Sequence, residues 1–203
     1  VEHERFKNWI GRLNKLQKAG RLDKIQIFFS CDGFGEAGEY ARTGLDLKIA
    51  LKNFDYVLHE TDIEQGINSA LTITAVPGMP AMVKYINESS RIKPIYWSMM
   101  KANQYEIGPR PYMYPGIFGS KINDWGLREA VDMFDIMTDG RVDTVKSNHK
   151  TYMNGIMKEF EKRDPNKLRQ KQLKIYLKEL DRRRNTDYTK IYGETFASEL
   201  EKL

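Results

Sequence analysis

The spacing of hydrophobic positions changes several times along this chain. From residue 5 to 19, Phe6, Trp9, Ile10, Leu13 and Leu16 recur at the helical period, and Gly20 follows as a stop. Residues 24–30, KIQIFFS, form a short apolar run that reads as a buried strand. Helical spacing returns over 45–60 through Leu47, Ala50, Leu51, Phe54 and Leu58. The β-branched run 67–76, INSALTITAV, predicts a second strand. A short helix is expected over 79–90 and a third strand over 92–100, where Pro94 would sit badly in a central ladder. Connections of this length between strands imply parallel pairing with right-handed crossovers, so the fold class is α/β.

The pattern breaks at 103–126. Seven Gly and Pro (Gly108, Pro109, Pro111, Pro115, Gly116, Gly119, Gly126) alternate with Tyr105, Tyr112, Tyr114 and Phe118, predicting a long irregular loop with aromatic anchors. Helical patterns then occupy 127–137, 144–162 and 165–184. Asp164 is the expected N-cap of the last, with Pro165 in its first turn. The chain thus divides into an α/β segment (1–102), the aromatic loop (103–126) and a helical extension (127–203). No internal repeat or low-complexity segment is present.

Composition narrows the function classes. No apolar run approaches the ~18–20 residues that span a bilayer. No leader pattern precedes the first helix, and a start at Val1 is expected for a chain that continues a longer protein. Cys31 is the one cysteine of the 203 residues, so no internal disulfide or four-thiolate cluster can form. Together these read as a reduced, cytoplasmic protein with a buried thiol. His3, His59 and His149 lack metal-ligand spacing. The net charge of +5 is uneven: residues 141–203 hold 16 Lys/Arg against 10 Asp/Glu, and residues 1–140 hold 17 against 18.

The candidate chemistry lies where the first strand ends, in SCDGFGEAGEYARTG. Gly33, Gly35 and Gly38 match G-x-G-x-x-G, the form of a dinucleotide-binding turn. Asp32, Glu36 and Glu39 would repel a pyrophosphate there, and the next periodic helix starts only near Leu45, so the match reads as accidental. The carboxyl end of a parallel strand is nevertheless where α/β sheets hold ligands. Ser30, Asp32, Glu39 and Arg42 on such a corner suit a zwitterionic, hydroxyl-bearing small molecule, with Arg42 placed to grip a carboxylate. Glu36 and Glu39 carry little weight as an acid–base pair, since no nucleophile lies near.

These residues also carry a family resemblance. The strand ending in Ser30-x-Asp32-Gly33, followed by Gly35-Glu36-x-x-Glu39-Tyr40-x-Arg42-x-Gly44 and a helix, resembles the fourth-strand region of radical S-adenosylmethionine (SAM) enzymes of the SPASM/twitch group. The segment with Asp181, Arg183, Arg184, Thr186 and Asp187 resembles the close of twitch-domain members from bacteria and phages. The resemblance brackets residues 5 to 196, and its middle matches in element order. It implies the second half of a partial (β/α)6 barrel followed by a helical extension. Ser30 would lie near the SAM ribose or amino-acid portion and Arg42 near its carboxylate. Asp32, Gly33 and Glu39 would line the same site, as would Thr72 and Thr74 on the next strand. Tyr96 or Ser98 would face the barrel mouth. The family's Cys-x-x-x-Cys-x-x-Cys and Gly-Gly-Glu-Pro segments are absent, so SAM and one [4Fe–4S] cluster are implied for a longer protein whose cluster ligands lie elsewhere. The implied partner is the missing N-terminal half-barrel, from the same gene or a split one. The chain alone is not expected to cleave SAM.

Two rival readings stand beside this. The basic last third, with Tyr176, Tyr188, Tyr192 and the Arg182–Arg184 cluster, could bind nucleic acid through phosphate pairing and base stacking. Against it, Leu168, Leu173, Ile175, Tyr176, Leu177 and Leu180 are expected to pack inward, leaving the charges as a solvated face. Alternatively, a silent α/β module could bind a protein partner through the aromatic loop.

Overall fold

The computed structural model describes residues 1–101, 110–134 and 144–203. Tyr105, Gly108 and Pro109 of the aromatic loop and positions 135–137 of the predicted helix lie outside the described residues.

Residues 3–101 run α1 (His3–Lys18), β1 (Gln26–Ser30), α2 (Gly35–Ala41), α3 (Leu47–Glu60), β2 (Glu64–Leu71), α4 (Met79–Ser89) and β3 (Ile95–Lys101), the expected alternation with one added helix, α2. The three strands form one parallel sheet in the order β1-β2-β3. Phe28, Gly66 and Tyr96 share one row across it, and Ser30, Asn68 and Ser98 share the next.

The two faces of the sheet differ. On one, Ile67, Leu71, Ile95 and Trp97 are buried against Phe54 of α3 and Met82, Val83 and Ile86 of α4. Ile10 of α1, Val57 of α3 and Ile63 form a second apolar cluster, on which Ile27 and Phe29 pack. On the other face, Ser30, Asn68 and Ser98 are exposed, and the large apolar side chains of Phe28 and Met100 are 41% and 65% exposed. Parallel sheets usually bury both faces. Among the described residues, the helices cover only one.

Lys93 fixes the end of α3. Its Nζ donates to the carbonyls of Val57, Thr61 and Ile63 at 2.7, 2.9 and 2.8 Å. A cation at a helix C-terminus satisfies orphan carbonyls and complements the dipole. Lys93→Ala is expected to lower stability by about 1–2 kcal/mol, read as a lower urea midpoint at unchanged slope.

The remainder packs on this unit. Residues 111–125 are a succession of tight 3-10 turns, not an open loop, and Met113, Tyr114, Ile117, Phe118 and Ile122 are buried within them. Then come α5 (Leu127–Asp132), α6 (Thr144–Glu161), α7 (Lys167–Arg184) and α8 (Tyr188–Glu201). One continuous core joins them to the sheet, running from Cys31 and Phe34 through Phe118 and Phe160 to Phe196 and Leu200.

Several expectations need correcting. β2 begins and ends earlier than predicted, so Thr72 and Thr74 lie beyond the strand, with hydroxyls 3.1 Å apart. A short helix, α2, begins inside the glycine corner at Gly35, not near Leu45, so Glu39 is helical and Arg42 is its C-cap rather than a loop residue. Asn166, not Asp164, caps α7 by accepting from the Arg169 N–H at 3.1 Å. On α1, Trp9 is 65% exposed rather than packed inward. On α7, Leu168 and Ile175 are 65% and 69% exposed, while Leu173 and Leu177 are fully buried.

Candidate functional site

The corner after β1 is built by close backbone packing. A Cβ on Gly33 would meet the Ala75 carbonyl oxygen at 2.9 Å and Gly78 Cα at 3.1 Å. A Cβ on Gly38 would overlap the Gly33 carbonyl oxygen. The Phe34 N–H donates to the Gly78 carbonyl at 2.9 Å, tying the corner to the start of α4. Gly35 adopts φ 70°, which favours glycine, and has open space around it. So Gly33 and Gly38 of the G-x-G-x-x-G pattern are required by packing, and Gly35 by backbone conformation.

The polar residues of the corner divide by role. Asp32 Oδ1 accepts from the Ala70 N–H at 2.8 Å, closing the end of β2, and its Oδ2 pairs with Arg42 Nη1 at 3.4 Å. Glu39 Oε1 accepts from the Leu47 N–H at 2.7 Å and, with the N-cap Asp46, satisfies the first turn of α3. Asp32 and Glu39 therefore each spend at least one carboxylate oxygen on the backbone. Arg42 keeps a side chain 41% exposed, with donors beyond those facing Asp32. Cys31 donates to the Gly33 carbonyl, and burial pushes its thiol pKa up to about 11, so it stays protonated at neutral pH.

Ser30 is placed differently from Asp32. It lies on the uncovered face in line with Asn68 and Ser98, and it also borders a cleft of about 520 Å³ walled by Phe6, Phe28, Phe34 and Leu45. Asn68 was not singled out from the sequence. The signal was a polar side chain in mid-strand, alternating with the buried Ile67 and Ser69. Phe28 lies close over Gly66, where a Cβ would meet its ring at 2.5 Å. The open face therefore presents an apolar row, a hydroxyl–carboxamide–hydroxyl row, and Met100 above.

The edge beside β1 is also open within the three-strand order. The Cys31 N–H and the Ile25 carbonyl bond to β2. By the alternation of a parallel ladder, the backbone groups of Gln26, Phe28 and Ser30 point outward.

The two sequence motifs meet in space. Asp181 of α7 accepts from Tyr40 Oη at 3.0 Å, Thr186 Oγ1 at 2.7 Å and the Tyr188 N–H at 2.9 Å. Arg184 donates to the Tyr40 carbonyl at 2.8 Å and to Thr43 Oγ1. Burial and the hydrogen bond to Asp181 hold the Tyr40 phenol well above its ordinary pKa. A cleft of about 610 Å³ lies at this junction, bordered by Glu36, Thr43, Asp187 and Lys190.

Arg182 and Arg183 both bind Glu179, which lowers its carboxyl to about 2. Asp187 is lowered chiefly by the Thr189 hydroxyl. Both groups have folded-state pKa values below their unfolded ones. What they contribute is present above the ordinary carboxylate range and is lost as pH falls through the folded values. Helical circular dichroism is expected to weaken on acidification from roughly pH 5 to 2, and Glu179→Gln to blunt the lower part of that change.

Among the described residues, no three His, Cys, Asp or Glu converge to hold a metal ion. No described helix is long and apolar enough to cross a membrane. No family profile, curated protein or solved structure matches the chain.

Proposed function

We propose that this chain is the second half of a partial (β/α)6 barrel of the radical SAM kind, and that its uncovered sheet face forms part of an adenosyl-binding lumen. The observation that carries this reading is the one-sided sheet. Strands in sequential order, all parallel, with the described helices packed on a single face, support reading the sheet as an arc of a singly wound barrel. A doubly wound sheet reverses its strand order and is covered on both faces. On its uncovered side the sheet carries Ser30, Asn68 and Ser98 between Phe28 and Met100.

These side chains fit an adenosyl ligand: hydroxyls and a carboxamide for a ribose, flat apolar surface for a purine, and Arg42 at the rim for a carboxylate. SAM, when bound, brings the reactive sulfonium. The chain does not fit an iron–sulfur cluster, because its one thiol is buried, protonated and bonded to Gly33. No step through a cluster is assigned to these residues. The open β1 edge, with exposed Phe28 beside it and Trp9 on α1, is where a preceding strand–helix unit would continue the arc.

The test begins with the surrounding coding sequence. A Cys-x-x-x-Cys-x-x-Cys segment is expected upstream in the same frame or in a neighbouring gene. The complete protein, loaded anaerobically with iron and sulfide and reduced with dithionite, should release 5′-deoxyadenosine from SAM. Absence of the cysteine segment, or a cluster-loaded protein that leaves SAM intact, defeats the proposal.

A further inference from the structure

We propose that the cleft along the open edge of β1 seats an added strand, a partner segment with apolar residues at alternate positions. This deepens the continuation of the sheet proposed for that edge and rests on it. The cleft, about 520 Å³, is touched by Phe28, Phe29, Ser30 and Cys31 in succession. Successive strand residues point to opposite faces, so a space that meets all four lies against the side of the strand, not over one face. β2 takes the other side. The remaining walls include Phe6 of α1 and Leu47, Leu51 and Phe54 of α3.

Two independent features of the edge call for a strand. The first is hydrogen bonding. The Cys31 N–H donates to the Asn68 carbonyl, so the odd-numbered residues of β1 face β2. The N–H and C=O groups of Gln26, Phe28 and Ser30 face the open side, along about 16 Å of edge. Among the described residues they bond to no further element. The second feature is burial. Ile67 and Leu71 of β2 are at most 1% exposed. Ile27 and Phe29, on the same covered face of β1, are only half-buried, as are Phe6, Leu47 and Leu51. The helices cover these side chains from one face, and no described element flanks them laterally.

A strand uses both features, and other occupants use one. An acyl chain would fill the cleft and leave the outward N–H and C=O groups without partners from it. A second copy of this chain could offer its own β1 edge. Its Ile27 and Phe29, however, already pack on its own Ile10, Val57 and Ile63, so it brings no side chains for the cleft. An extended segment brings backbone groups to the edge and side chains to the space beside it, the two elements of strand addition. Its alternation follows from β1. Apolar residues enter between α1 and α3, and small hydroxyl residues continue the open-face row of Ser30, Asn68 and Ser98.

The test titrates the whole chain, without SAM, with the peptide Lys-Ile-Thr-Val-Ser-Ile-Thr-Lys and follows amide hydrogen exchange. Binding at about 10–100 µM is expected, with slowed exchange at Phe28 and Ser30. N-methylation of the peptide at one alternate set of residues should weaken binding at least tenfold, and at the other set should spare it, because one edge of the peptide meets β1. Both methylated peptides keep every side chain and the protein is unaltered, so no folding defect enters. No binding at ~1 mM peptide overturns the proposal. So do equal effects of the two methylation sets, or binding that leaves the Phe28 and Ser30 amides exchanging freely. Protection of those amides that rises with protein concentration before peptide is added assigns the edge to a second copy and also overturns it. Because SAM is absent, failure here leaves the adenosyl reading of the open face standing, and failure of SAM cleavage leaves strand binding standing.

Discussion

Gly38→Ala is expected to prevent stable folding, with a loss of about 4 kcal/mol or more. The added methyl would occupy the position of the Gly33 carbonyl oxygen, and both partners in that clash are backbone. Relief requires α2 to move away from the corner. That would loosen Ala37 and Tyr40 from the core and part the Phe34–Gly78 hydrogen bond. Losses of this size are exceptional for single substitutions and mark forced overpacking. Gly35→Ala is the control: its φ is 70° but its surroundings are open, so about 1 kcal/mol is expected. Thermal denaturation of the two variants separates the cases. Equal, small effects would mean that the Gly33–Gly38 contact is not what the motif is for.

Asp181→Ala is expected to cost about 2–4 kcal/mol. One carboxylate receives a phenol, a hydroxyl and a backbone N–H. Its removal leaves Tyr40 Oη, 4% exposed as a residue, with only the long 3.5 Å contact to the Leu177 carbonyl. A buried donor stripped of its partner costs about 1–3 kcal/mol, and charge-assisted bonds are the stronger kind. For a chain of this size the melting temperature should fall by roughly 5–12 °C. Asp181→Asn keeps one acceptor oxygen and should lose about half as much. An unchanged melting temperature in Asp181→Ala would show that the two motifs touch without supporting each other.

These two variants bear on why distant segments carry the resemblance. Tyr40, Thr43, Asp181 and Arg184 form one bonded group that ties the corner after β1 to the α7–α8 junction. The constellation braces the corner after β1 against the α7–α8 junction. Asp32 and Glu39 belong with it, because the backbone of β2 and α3 takes up their oxygens. A sequence displays the residue types of a ligand site, and capping carboxylates look the same until their partners are seen.

How much was legible depended on whether local pattern or tertiary contact decided each element. The helices α1, α3 and α4 have strong apolar periodicity and were read within a few residues. β2 was misplaced because Thr72–Val76 has the higher β propensity, whereas Glu64–Leu71 is a strand through its pairing on both sides. α2 escaped detection because seven residues with two glycines have little helical propensity. It forms because Ala37 and Tyr40 find the core. On α7 the apolar positions form two stripes. Leu173 and Leu177 face the core, while Leu168 and Ile175 face out, a division that periodicity alone does not reveal.

The most direct measurement is amide chemical-shift mapping of the chain with millimolar S-adenosylhomocysteine. The account predicts shifts that cluster at residues 28–30, 66–70 and 96–100 and vanish in Asn68→Leu. Shifts centred on residues 33–38, or none on the open sheet face, would contradict it.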